Sequence, residues 1–200
     1  MTAALRTFKR ICVFCGSSHG ANPAYVDAAK NVGSELARRS IGLVYGGGNV
    51  GLMGVVADAV LASGGHVIGV IPEALMTKEL GHKSIQDLRV VKTMHERKAL
   101  MAELSDGFVA LPGGIGTFEE FFEIVTWAQL GFHSKPCALL NVNAFYDPLL
   151  HLLDHAIKEQ FVKPKQRDLV LVESNFSTLL DRMASHHIPY EPKWIGKETI

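Results

Sequence analysis

Short apolar runs recur along the chain, separated by longer amphipathic stretches. RICVFC (residues 10–15), IGLVYG (41–46) and HVIGVIP (66–72) each read as a strand buried on both faces, because apolar residues follow one another without polar alternation, and LRVV (88–91), DGFVALP (106–112), KPCALLNV (135–142) and DLVLVE (168–173) complete the series of short strands. Helical spacing appears over residues 23–39, over GLMGVVADAVLASG, over MHERKALMAEL, from near Thr117 onward, and over DPLLHLLDHAIKEQ. Buried strands alternating with helices imply parallel pairing through right-handed crossovers, with helices on both faces of the sheet. The expected fold is a Rossmann-like, doubly wound α/β sheet in a single domain, with a core over about residues 9–186. The polar ending HIPYEPKWIGKETI is expected to be a loose arm or an oligomer contact.

Composition narrows the function classes. The 200 residues are 48% hydrophobic, enough for one large core, and carry 20 basic against 20 acidic side chains. Without a bulk field there is no expectation of nucleic acid or an anionic membrane as partner, and a small ligand is favoured. The opening MTAALRTFKR lacks an apolar signal core and no run is long enough to span a bilayer, so a cytoplasmic protein is expected. Cys12, Cys15 and Cys137 form an odd set, expected to be reduced. Cys12 and Cys15 match CxxC, yet a strand would aim them at opposite faces, which favours buried strand residues over a redox pair. His151 and His155 stand four apart beside Asp154, but no third ligand follows at recognisable spacing, so no metal site is expected.

In a doubly wound sheet, ligands collect beyond the carboxyl ends of the strands where the strand order reverses. Three glycine-rich loops follow strands: CGSSHG, YGGGNVGLMG and LPGGIGTFEE. The second holds GxGxxG at Gly46, Gly48 and Gly51, which brings backbone N–H groups close to a phosphate, and Gly46 and Gly47 are candidate substrate contacts. Glu73 lies near the distance at which a dinucleotide fold places its ribose carboxylate, so a nicotinamide-linked dehydrogenase is one reading. No lysine follows these glycines, which removes a P-loop.

LPGGIGTFEE is more specific. Pro112 ends a strand, Gly113, Gly114 and Gly116 leave room for a ligand against the backbone, and Thr117 is read as the cap of the next helix. Glu119, Glu120 and Glu123 sit in its first turns, where carboxylates also simply complement the helix dipole. Arg97 and Lys98 near the start of another helix run against that dipole, so either an anion binds there or the face is solvated.

Together CGSSHG, YGGGNVGLMG, the glutamate after EALM, MHERKALM and PGGIGTFEE resemble the LONELY GUY family of cytokinin riboside 5'-monophosphate phosphoribohydrolases, often labelled lysine decarboxylases in error. The likeness runs over residues 11–161, and its most specific motif, PGGxGTxxE, is complete. The resemblance implies a homodimer that removes ribose 5-phosphate from an N6-modified adenosine monophosphate without metal or organic cofactor. It implies Arg97 and Glu120 as the catalytic pair, with Glu79, Lys98, Gly113, Gly114, Ile115, Gly116, Thr117 and Thr126 as substrate contacts. TKEL has Lys78 where relatives often carry arginine, and Ile115 stands where plant relatives have tyrosine. Met94, Phe118, Trp127 and Leu130 are candidate liners of a prenyl pocket or, equally, helix core. A nucleotide or molybdenum-cofactor carrier is the alternative function. Lysine decarboxylation is disfavoured, because pyridoxal phosphate enzymes need a Schiff-base lysine within a much larger fold.

Overall fold

All seven apolar runs become strands of one parallel sheet in the computed structural model, which describes residues 5–76 and 81–186. In chain order the elements are β1 (Arg10–Phe14), α1 (Pro23–Arg38), β2 (Gly42–Tyr45), α2 (Gly51–Ala62), β3 (Val67–Pro72), α3 (Glu73–Met76), β4 (Asp87–Val91) and α4 (Met94–Leu104). They continue with β5 (Gly107–Ala110), α5 (Ile115–Leu130), β6 (Cys137–Leu140), α6 (Asp147–Lys158), α7 (Pro164–Arg167), β7 (Val170–Glu173) and α8 (Phe176–Ser185). The sheet order is β4-β3-β2-β1-β5-β6-β7. Its direction of growth reverses between β1 and β5, whose registers pair Cys12 with Phe108 and Phe14 with Ala110.

Alternate strand residues feed two separate cores. Ile11, Val13 and Cys15 face α1, α2 and α8, whereas Cys12 and Phe14 face α4, α5 and the approach to α6. The two cysteines of the CxxC spacing therefore lie on opposite faces, both as buried free thiols, as the strand period requires. Burial pushes both thiols well above their ordinary pKa.

Local chemistry sets the helix starts. The Asn22 side chain accepts the Ala24 N–H at 2.9 Å and Pro23 takes the first position of α1. Thr93 and Glu96 close a reciprocal capping box on α4. Asn175 caps α8, a helix absent from the sequence expectations although Phe176, Leu179, Leu180 and Met183 trace its buried face.

Thr117 does not cap α5. The helix begins two residues earlier, with Gly114 as its N-cap and no side-chain cap, and Thr117 is buried in the first turn. Glycine is acceptable at an N-cap, and the side chain that would have satisfied the first-turn N–H groups is missing.

Candidate active site

Beyond the carboxyl ends of β1, β2, β3 and β5, the loops enclose a cleft of about 350 Å³. The loop after β1 is tied to the loop after β5 by the Gly16 N–H donating to the Pro112 carbonyl at 3.1 Å, and to α2 by the Leu52 N–H donating to the Gly16 carbonyl at 3.0 Å. Gly51 makes the second contact possible. Its φ is +57°, and a Cβ there would fall 2.2 Å from the Ser17 carbonyl carbon. An adjoining hollow of about 300 Å³ meets the cleft at Ser17 and Gly114.

Arg97 forms the floor of the cleft. The α4 capping box fixes the helix start, and the side chain then runs toward the sheet, donating through Nε to the Val70 carbonyl at 3.1 Å and through Nη2 to the Gly46 carbonyl at 3.4 Å. Its Nη1 lies 3.0 Å from Glu120 Oε1, with both side chains about one-tenth exposed. Gly46 is glycine for a steric reason: a Cβ there would stand 2.0 Å from Arg97 Nη2. Burial holds the Glu120 carboxyl above the ordinary carboxylate range, against the lowering effect of Arg97.

The three glutamates do not merely decorate a helix dipole, and the two cations do not occupy a solvated face. Lys98 Nζ lies 2.5 Å from Glu119 Oε1 and 3.0 Å from Glu123 Oε2, while its own side chain is only 7% exposed. Burial by itself would lower the Lys98 ammonium pKa; the two carboxylates outweigh that and raise it. Each cation of α4 is thus received by α5, and no free anion is needed to explain them.

The cleft collects Gly46, Gly114, Ile115, Gly116, Thr117, Arg97 and Glu120 from the sequence candidates. Gly113 borders the adjoining hollow, where a Cβ would clash with Thr117 Oγ1. Gly47 packs against the sheet and accepts the His82 N–H through its carbonyl, outside the cleft. Lys98 is likewise outside it, and Thr126 is exposed on α5 with its hydroxyl donating to the Phe122 carbonyl. Glu79 and Lys78 lie outside the described residues, as does the ending from residue 187. Glu73 opens α3 on the surface, so the dinucleotide reading loses its ribose carboxylate.

Of the two readings open for the apolar candidates, helix core holds for Phe118, which packs on Phe145 and Tyr146, and for Trp127, which packs on the α5-side core; neither they, Met94 nor Leu130 line the cleft. The apolar walls come instead from Val50, Met53, Ile71, Leu75 and Ile115. Sequence reasoning missed the first four. Their signal was position: Val50 and Met53 come soon after β2, Ile71 lies at the end of β3, and Leu75 follows it in α3.

The family model described as "Possible lysine decarboxylase" matches residues 53–183. A cytokinin riboside 5'-monophosphate phosphoribohydrolase of Arabidopsis thaliana is 50% identical over 179 residues, covering 90% of this chain and 83% of its own. A protein of the same name from Oryza sativa subsp. japonica is 49% identical over 184 residues, covering 92% of this chain and 76% of its own. The chain belongs to the LONELY GUY family. Among solved structures, the molybdenum cofactor binding protein of Rippkaea orientalis aligns with a TM-score of 0.66 over 88% of this chain and 94% of that one, at 22% identity. That likeness shows that this LONELY GUY chain and that binding protein share a fold. Among the described residues no lysine lines the cleft of this LONELY GUY site, and Lys98 is clamped between two carboxylates beside it.

Proposed function

We propose that this chain is a phosphoribohydrolase that cleaves the N-glycosidic bond of N6-modified adenosine 5'-monophosphates, releasing the free base and ribose 5-phosphate. The observation that carries the reading is the buried Arg97–Glu120 pair at the floor of a cleft that also exposes the uncapped start of α5. The relatives at about 50% identity bear names that specify this reaction.

The roles follow from chemistry. The first-turn N–H groups of α5, at Ile115, Gly116 and Thr117, have no intrahelical acceptor and hold the 5'-phosphate, which the helix dipole favours. Repulsion between that phosphate and the nearby glutamates is muted because Arg97 neutralises Glu120, and Lys98 stands between Glu119 and Glu123. The scissile bond breaks with its electron pair moving to the base, leaving positive charge on the sugar, which the Glu120 carboxylate stabilises. Water adds to the anomeric carbon as Glu120 takes its proton, and the released base finally carries that proton. Burial raises the proton affinity of this carboxyl and so makes it a better acceptor of the water proton. Arg97, 3.0 Å from Glu120 Oε1, orients that carboxylate and supplies positive charge beside it. Val50, Met53, Ile71, Leu75 and Ile115 offer an apolar surface to the base and its N6 substituent. In the homodimer implied by the family resemblance, exposed Thr126 would reach a substrate held mainly by the other subunit.

The test is base release from N6-isopentenyladenosine monophosphate and from the corresponding riboside. The monophosphate is expected to react at least about 10³-fold faster in kcat/KM, because remote phosphate binding energy positions the reacting bond. Equal rates would contradict the placement of the phosphate on α5.

A further inference from the structure

Family resemblance would make Lys98 a substrate contact, yet the structure turns it away from the cleft and pairs it with two carboxylates. Its ammonium is 2.5 Å from Glu119 and 3.0 Å from Glu123, one helical turn apart on α5, and the residue is buried. Glu120 lies between those two in sequence and faces Arg97, the neighbour of Lys98 on α4. Two adjacent residues of one helix therefore grip three carboxylates of the other. Resting on the hydrolase reading above, we propose that Lys98 is a positioning residue: its bridge to Glu119 and Glu123 locks α5 against α4 in the rotation that presents Glu120 to Arg97 and the sugar, and it balances the charge around Glu120.

The geometry supports this over a phosphate contact. A lysine at a phosphate would line the cleft, whereas this one lines no part of that space and gives two of its three donors to carboxylates of α5. A flexible point charge is adequate for a bridge between two carboxylates on one helix face, where the planar fork of Arg97 is needed for its three differently placed acceptors. The charged and titratable groups acting on Glu120 are Arg97 and Lys98 from α4, Glu119 and Glu123 from α5, and the thiols of Cys12 and Cys15 on the β1 side. Arg97 and Lys98 lower its proton affinity, whereas Glu119 and Glu123 raise it, on top of the larger effect of burial. Removing Lys98 would leave two carboxylates unopposed and push Glu120 further up.

The experiment is the pH profile of kcat/KM for N6-isopentenyladenosine monophosphate with the full chain, in wild type, Lys98→Met, Lys98→Arg and Glu119→Gln, with melting temperatures recorded. In Lys98→Met the acid limb is expected to move up by about one pH unit and kcat to fall about tenfold, with KM within about threefold of wild type. Lys98→Arg restores both. Glu119→Gln, at a side chain half exposed to solvent and easily accommodated, moves the acid limb down. The proposal is overturned if the limb stays fixed in both Lys98→Met and Glu119→Gln. A tenfold or larger rise in KM for Lys98→Met with a fixed limb would make Lys98 a substrate contact instead. Wild type that releases no base would overturn the hydrolase reading and this inference with it, whereas an active wild type with immobile limbs overturns the positioning role alone.

Discussion

Glu120 is the residue on which the chemistry turns, and its environment predicts its pH dependence. It must be ionised to take a proton from water, and burial raises its pKa beyond what Arg97 offsets. The acid limb of kcat/KM is therefore expected above the usual carboxylate range, and a limb near pH 4 or below would contradict the burial argument. Gly46 gives a second prediction at this scale. The Cβ of Gly46→Ala would occupy the place of Arg97 Nη2, and that guanidinium is pinned by Val70, Gly46 and Glu120. A displacement of about 1 Å at the pair is expected to cost roughly 10²-fold in kcat/KM, a larger relative loss than in melting temperature. Activity within threefold of wild type would show that the pair tolerates movement. Neither Gly46 nor Lys98 yields its role to the sequence alone: a glycine in GxGxxG reads as a phosphate contact, and an Arg–Lys doublet at a helix start reads as an anion site or a solvated face, until burial and partners are known.

At the scale of elements, the site depends on how three loops meet. Gly51 lets the start of α2 touch the loop after β1, and it combines a positive φ with a backbone approach that leaves no space for a methyl group. Gly51→Ala is expected to destabilise the protein by about 2 kcal/mol or more and to lower activity in parallel. Calorimetry against wild type checks this, and an unchanged melting temperature would contradict it. The buried strands were legible because uninterrupted apolar runs permit little else, and so were α1, α2, α4 and α6 from their spacing. The early start of α5 was not, since three glycines allow several helix starts and Thr117 looks like a better cap than Gly114. Helix α8 escapes the sequence reading although Phe176, Leu179, Leu180 and Met183 fall at i, i+3, i+4 and i+7, because so short a pattern stands beside a polar ending.

For the whole molecule, acid stability should fall in two windows. His133 follows α5, with Nε2 donating to the Ile124 carbonyl at 3.0 Å and Nδ1 accepting the Lys135 N–H, and burial depresses its pKa from 6.5 to about 4. The unfolded chain therefore binds this proton more readily, and the stability conferred by neutral His133 is lost as pH falls from about 6.5 toward 4. Glu35 joins α1 to α8 through Arg39, which also binds Asp181. Hydrogen bonding from Arg38 first, then from Arg39 and Ser177, lowers its pKa from 4.5 to about 2, so its contribution persists above about 4.5 and disappears toward pH 2. His133→Asn should be less stable at pH 7 and show a flatter melting-temperature curve between pH 6.5 and 4, as thermal denaturation across pH would reveal. A curve as steep as wild type would contradict the buried, neutral imidazole.

The central claim, that Arg97 and Glu120 act together on an N-glycosidic bond, is tested most directly by measuring free-base release from N6-isopentenyladenosine monophosphate by wild type, Glu120→Ala and Arg97→Ala in one assay. Release by wild type and a loss of at least about 10²-fold in each variant are expected. Substrate binding without base release by wild type, or release that survives in both variants, would contradict it.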